Sequence, residues 1–231
     1  MPTLLITRPQ DAAERFLAQV KAQLPEVSAI VSPAMKFDSV DVPNPPKAAT
    51  LILTSAQAVQ EAARLGYGCA AVCVGQRTTE MAQAAGMVAR FGGQDVQSLI
   101  ANTRQDRPKG PIVYIRGEHV ASDIVTELKP DLKIDEVIAY RQIAAPLSEA
   151  AHRVLEGNLP VVLPLFSPRS AWLVQVRVTA PLHVIAMSQR VAEAARHLNV
   201  SGIETVPEPT SKAMVAATCH RLRSLSHDPL A

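Results

Sequence analysis

The stretch TLILTSAQAVQEAA, residues 50–63, passes from four strand formers to two hydroxyls, Thr54 and Ser55, and then directly into a helical pattern. Four consecutive residues without polar alternation read as a strand buried on both faces, as in parallel sheets. A hydroxyl just ahead of an Ala-rich run reads as an N-cap, because its oxygen accepts from a backbone N–H left unpaired at the helix start. The stretch is therefore one βα unit, and its repetition along the chain decides the fold.

Similar units follow on both sides. Strands are expected at 3–8, 27–32, 50–55, 70–75, 87–91, 111–117, 133–142, 161–167, 183–188 and 203–208. Helices are expected at 10–23, 56–65, 77–85, 95–103, 119–128, 147–156, 169–176, 189–197 and 210–224. Alternation of this kind predicts an α/β fold with parallel sheets flanked by helices. The pattern also echoes itself. LLITRPQDAAERFLAQV (4–20) is similar to IVYIRGEHVASDIVTEL (112–128), LTSAQAV (53–59) to FSPRSAW (166–172), and VGQRTTEMAQAAG (74–86) to MSQRVAEAARHLN (187–199). The order is the same in both halves, so two similar lobes are expected. Two extended segments interrupt the alternation: MKFDSVDVPNPPKAAT (35–50), rich in prolines that donate no ladder hydrogen bond, and VIAYRQIAAPL (137–147). Two crossings of this type imply that one lobe is discontinuous.

Composition narrows the function. With 48% hydrophobic residues in 231 the chain buries a substantial core, and no apolar run approaches the roughly 20 residues of a membrane helix. No basic region precedes a long apolar segment in MPTLLITRPQ, so no signal peptide or anchor is expected, and the location is read as cytoplasmic. A net charge of +2 with only 3% aromatics argues against a nucleic-acid surface. The three cysteines, Cys69, Cys73 and Cys219, form no CxxC and read as small buried apolar side chains. The six histidines, including His227 near the C-terminus, lack the spacing of a metal site, so no metal is implied. Neither GxGxxG nor a Walker loop follows any strand. No sustained apolar seam runs along a helix beyond one core-facing stripe, and a monomer is expected.

In open parallel sheets ligands collect beyond the carboxyl ends of the strands. The corners there read Thr7-Arg8-Pro9, Thr54-Ser55, Gly75-Gln76-Arg77-Thr78, Arg116-Gly117, Ser167-Pro168-Arg169 and Ser188-Gln189-Arg190. Hydroxyls beside free N–H groups, and arginines, hold carboxylates well, and six such corners suit a ligand carrying many of them. Each hydroxyl is equally an ordinary cap, and the set does not distinguish carboxylate from phosphate. Asp and Glu fall mainly on helix faces and read as solvated surface. Tyr140, at the end of an extended segment between lobes, is either a packing residue or a proton donor, a phenol of ordinary pKa about 10 being protonated at neutral pH.

The ordered set of corners resembles the uroporphyrinogen-III synthase family. The resemblance rests on TRP (7–9), LTSAQAV (53–59), VGQRTTEMAQAAG (74–86), YIRG (114–117), VIAYRQ (137–142), LFSPRSA (165–171), IAMSQRVAEAA (185–195) and PEPTSKAM (207–214). It implies two α/β lobes joined by a two-stranded linker: lobe 1 from 1–35 and 145–231, lobe 2 from 48–135, linkers at 36–47 and 136–144, with each lobe mixing strands from both copies. It also implies closure of the linear tetrapyrrole hydroxymethylbilane, with the upstream hydroxymethylbilane synthase as a candidate partner, by loss of water and inversion of ring D, with neither metal nor cofactor. By the same resemblance Tyr140 assists departure of the hydroxyl. Thr54, Ser55, Gly75, Thr78, Ser167 and Ser188 would bind acetate and propionate arms, with Arg8 and Arg116 as further contacts. Gln57, Ser188 and Val191 depart from the family pattern, the last replacing a hydroxyl. The competing readings are a non-catalytic two-lobed binding protein for a polycarboxylate or other anion, a paralogue that lost catalysis, and a regulatory α/β pair.

Overall fold

The computed structural model describes residues 1–120 and 122–226. In chain order the strands are β1 (Thr3–Ile6), β2 (Ser28–Val31), β3 (Met35–Ser39), β4 (Thr50–Leu53), β5 (Ala70–Val74), β6 (Val88–Gly93), β7 (Ile112–Gly117), β8 (Ile134–Ala144), β9 (Val161–Leu165), β10 (Leu182–Ala186) and β11 (Gly202–Thr205). The helices are α1 (Gln10–Lys21), α2 (Ala56–Arg64), α3 (Gln76–Ala84), α4 (Val96–Asp106), α5 (Ile124–Leu128), α6 (Glu149–Leu155), α7 (Pro168–Trp172), α8 (Gln189–Ala194) and α9 (Ser211–Ser226). The chain divides into two compact units, Met1–Lys36 with Ala144–Ala231, and Phe37–Ile143.

The sheet of the first unit has the order β11-β10-β9-β1-β2, and that of the second β6-β5-β4-β7-β8 followed by β3. Every ladder with a resolved register is parallel. Position by position β9 corresponds to β4 and β1 to β7, the strands whose sequences echo one another. Each sheet therefore joins strands of both copies, β1 and β2 with β9 to β11 in one, β4 to β6 with β7 and β8 in the other.

The unbroken apolar runs are explained by burial on both faces. In β4, Leu51 and Leu53 join one apolar cluster with Val113, Ile115 and Ala139. Ile52 between them joins another with Val72, Leu99 and Tyr114. In the first unit Leu5 and Leu163 pack on one face, and Leu4, Ile6 and Val162 on the other. Pro164 is tolerated inside β9 because the ladder to β1 ends at Leu4↔Val162, while that to β10 continues through Pro164↔Ile185.

The segment 36–47, expected as one arm of a two-stranded linker, begins in a strand, β3, at the edge of the second sheet beside β8; its alternation of buried Met35 and half-buried Phe37 with exposed Lys36 and Asp38 is that of an edge strand. Two expectations are revised. The helix expected at 119–128 is only α5, because the Asp123 side chain caps it by accepting from the Thr126 N–H at 3.0 Å. Ala121 and His227 lie outside the described residues. Cys73 and Cys219 are buried, whereas Cys69 is only half-buried.

Candidate active site

In the second unit the chain runs from β4 to β5 and β6 on one side, then returns to β7 and β8 on the other. The carboxyl ends of β4 and β7 therefore form the switch point where crossovers diverge and a crevice is left open. Thr54 and Ser55 stand there. Consecutive residues at a strand end point to opposite faces, and the two hydroxyls accordingly meet different partners. Ser55 Oγ lies 3.0 Å from the Tyr140 hydroxyl. Thr54 Oγ1 lies 3.4 Å from the Tyr114 hydroxyl. Tyr140 shares its apolar cluster with Leu51 and Leu53, Tyr114 with Ile52, so the phenols approach the corner from the two sides of the sheet.

Ser55 also caps α2, its Oγ accepting from the Ala58 N–H at 3.1 Å. Capping and tyrosine contact thus coexist on one oxygen, which has two lone pairs and one proton. Tyr140 is 7% exposed. Burial pushes its pKa above the ordinary value, a shift opposed by the hydrogen bonds to Ser55 and the Gly117 backbone and reinforced by the charge of Glu61. Tyr114 is pushed up by burial too, against the hydrogen bond to Thr54. Both phenols keep their protons at neutral pH. Phe37 packs its ring edge-on against Tyr140, centroids 5.6 Å apart. On the other side stands Gly117, the register partner of Tyr140, where an added Cβ would lie 2.7 Å from Cε2 of that ring.

The neighbouring corner belongs to α3. Since Leu53 pairs with Cys73, Gly75 ends β5 alongside Ser55. Its φ of 75° with ψ of 146° is a backbone region open to glycine and little else. Its N–H donates to the Gly93 carbonyl at 2.8 Å, and its carbonyl accepts from Thr79 Oγ1 at 3.0 Å. Thr78, two residues into α3, is 8% exposed. Arg116 is engaged within its own sheet. Its guanidinium makes a fork to Glu136, Nε to Oε2 at 2.7 Å and Nη2 to Oε1 at 3.0 Å, and Nη1 donates to the carbonyls of Gly117 and Glu118. The Glu136 carboxylate raises its pKa further.

The first unit repeats the arrangement at the carboxyl ends of β1 and β9. The Arg8 guanidinium stacks on the Phe166 ring, 3.8 Å from its centroid. Ser167 caps α7 in a reciprocal box with Ser170. The adjacent Ser188, placed by the pairing of Leu165 with Ala186, makes no side-chain cap bond to α8. Val191 is 2% exposed and packs with Val184, Ala186 and Leu198 in the core, so the methyl groups there serve packing. The Thr7 hydroxyl, 1% exposed beside Arg8, has no hydrogen-bond partner among the described residues.

Sequence reasoning named Thr54, Ser55 and Tyr140, which the structure brings together, and placed Thr7 and Gly117 at strand-end corners without a role of their own, but it missed Tyr114. The signal for Tyr114 lay in YIRG, where it stands two residues before Arg116 and so on the same strand face. Among the described residues no cluster of three metal-ligating side chains occurs, and no helix is long and apolar enough to cross a membrane.

A family model described as HEM4, Uroporphyrinogen-III synthase HemD, matches residues 24–216. Among solved structures, the uroporphyrinogen-III synthetase from Helicobacter pylori superposes with a TM-score of 0.68 at 13% identity, over 96% of this chain and 100% of that one. At this identity the likeness concerns the fold. A mutant uroporphyrinogen III synthase from the extremely thermophilic bacterium Thermus thermophilus gives a TM-score of 0.49 at 13% identity, over 97% of this chain and 100% of that one. No curated protein matches.

Proposed function

The chain belongs to the uroporphyrinogen-III synthase family, and from that premise we propose that Tyr140 is the group that assists the chemical step. The family reaction closes hydroxymethylbilane with loss of water and inversion of ring D, the work of a cyclising lyase. In the proposed step the C–O bond of the terminal hydroxymethyl group breaks as the pyrrole nitrogen pushes its electron pair outward and loses its N–H proton, giving an azafulvene. The departing oxygen accepts a hydrogen bond or proton from the Tyr140 phenol and leaves as water, and the proton released from the pyrrole nitrogen balances the one taken up. Ring D then attacks through its substituted carbon, and the spiro intermediate fragments and recloses inverted.

The observation that carries this reading is a buried, protonated phenol fixed at a topological switch point by Ser55 at 3.0 Å. Because the free bilane closes unaided to the uninverted isomer, the protein's task is mainly to hold a reactive octacarboxylate in one geometry. To strand-end corners we assign the binding of carboxylate arms: Thr54, Ser55, Gly75 and Thr78 in the second unit and, by the same chemistry, Ser167, Ser188 and Arg8 in the first. Arg116, bound to Glu136, acts by stiffening the end of β7 beside Gly117. We further assign a monomer in the cytoplasm, supplied with hydroxymethylbilane by the upstream synthase.

The test is to supply freshly generated hydroxymethylbilane and separate the oxidised porphyrin isomers. Type III product is expected; only the uninverted isomer, at the spontaneous rate, would sink the reading. For the arm-binding corners, Ser188→Ala is expected to raise KM about two- to tenfold with kcat little changed, the loss of one neutral hydrogen bond of about 0.5–1.5 kcal/mol. An unchanged KM would remove Ser188 from the set.

A further inference from the structure

On α2 the face turned to the sheet is apolar, with Ala58, Val59 and Ala62 buried, yet it also carries Glu61, only 2% exposed. A carboxylate in that position carries a desolvation penalty, and a Leu or Met there would pack without it. Both of its oxygens are engaged. Oε1 accepts from Ser39 Oγ at 2.8 Å and from Gln57 Nε2 at 2.9 Å, and Oε2 accepts from Arg64 Nε at 2.7 Å. Arg64 in turn donates from Nη2 to the Val40 carbonyl at 2.8 Å, and the Val40 N–H donates to the carbonyl of Ala139, the residue before Tyr140.

We propose that Glu61 is a positioning residue for Tyr140, tying β3, which packs Phe37 on the phenol ring, to α2, which holds the phenol oxygen through Ser55. The inference rests on the assignment of Tyr140 to the departing hydroxyl. The contacts of the phenol with Ser55 and Phe37, and the strand pairing just before it, then trace to one knot. Ser55 starts the helix that bears Glu61, Phe37 lies two residues before Ser39 on the same strand face, and Ala139 is hydrogen-bonded to the residue that Arg64 holds. The carboxylate also acts through its field. A negative charge near a phenol disfavours the phenolate, so Glu61 helps to keep the proton on Tyr140. The other charged or titratable groups on the surrounding elements are Arg64 of α2, Tyr114 and Arg116 of β7, Lys36 and Asp38 of β3, and Asp135, Glu136 and Arg141 of β8. Arg116 is held by Glu136, and Asp38 pairs with Arg141 at 3.7 Å.

Glu61→Gln tests this, because the amide keeps the shape and can still accept from Ser39 while the charge and the Arg64 pair are lost. The expected result is a fall in kcat on the order of tenfold with KM unchanged, within the loss that a small misplacement of a reacting group produces. The alkaline limb of kcat should move to lower pH. Independently of activity, the tyrosinate absorbance that disappears in Tyr140→Phe reports the Tyr140 phenol alone, and its titration midpoint should fall in Glu61→Gln. A lower melting temperature with wild-type kcat, pH limb and titration midpoint would mean that Glu61 is only structural, and would overturn the proposal. Ser39→Ala cuts the tie from the strand side with the charge retained, and guards against a Glu61 variant that fails to fold; it must lower kcat, and an unchanged kcat overturns the tie. If Tyr140→Phe itself leaves the rate intact while the midpoint still moves in Glu61→Gln, the catalytic assignment of Tyr140 falls and the coupling to Glu61 stands.

Discussion

Replacing Tyr140 by Phe is expected to lower the rate of type III product formation by about ten- to a hundredfold, at and below the lower end of the range for loss of a general acid, because the bilane is already reactive. The substitution removes one oxygen and keeps the ring, so the edge-on contact with Phe37 and the close approach to Gly117 persist. Ser55 loses the phenol but continues to cap α2 through the Ala58 N–H. Stability should therefore change by only about 1 kcal/mol, the size of one net hydrogen bond. Any bilane released before ring D inverts closes spontaneously, so the isomer ratio should shift toward the uninverted product as the rate falls. Tyr114→Phe is the internal comparison. Its hydroxyl sits 3.4 Å from Thr54 and reaches the corner from the opposite face of the sheet, so a smaller loss is expected there. Equal, unchanged rates in both variants would remove the phenol from the mechanism.

The contrast between these two tyrosines shows where the sequence stops being legible. The run TLIL before Thr54-Ser55 is readable because burial on both faces of a parallel sheet leaves a mark in composition that needs no partner to interpret. Most strands and helices were readable for the same reason, and the echo between LTSAQAV and FSPRSAW correctly paired β4 with β9. What those hydroxyls touch depends instead on strand order and register. Tyr114 reaches Thr54 only because β7 lies beside β4 with Ile52 opposite Tyr114. Arg116 read as an anion-binding corner, yet the parallel register that sets Tyr114 opposite Glu136 brings a carboxylate within its reach. Glu61 read as solvated helix surface, the usual state of a glutamate, because nothing local announces that Ser39, from a segment expected to be linker, would fold over it. Local propensity is written residue by residue, whereas these contacts are set by pairings between distant segments.

Gly117→Ala should disable the site without touching a hydroxyl. The added Cβ would stand 2.7 Å from Cε2, 3.0 Å from Cζ and 3.3 Å from Cδ2 of Tyr140, a clash along a whole ring edge that no rotation about one bond relieves. The ring has little room to retreat, with Phe37 packed against it and its hydroxyl tied to Ser55. Overpacking of this kind costs about 1–3 kcal/mol of stability. A displacement of about 1 Å in the reacting group is worth on the order of a hundredfold in rate, so type III formation should fall at least as far as in Tyr140→Phe. The double variant separates the two effects. Phe at 140 keeps all three clashing carbons, so the stability loss from Gly117→Ala should be the same in that background. The activity loss should not add, because the hydroxyl that the displaced ring would have misdirected is already gone. Full additivity of both losses would mean that Gly117 acts on the reaction by some route other than Tyr140, and the close contact between them would then be packing alone.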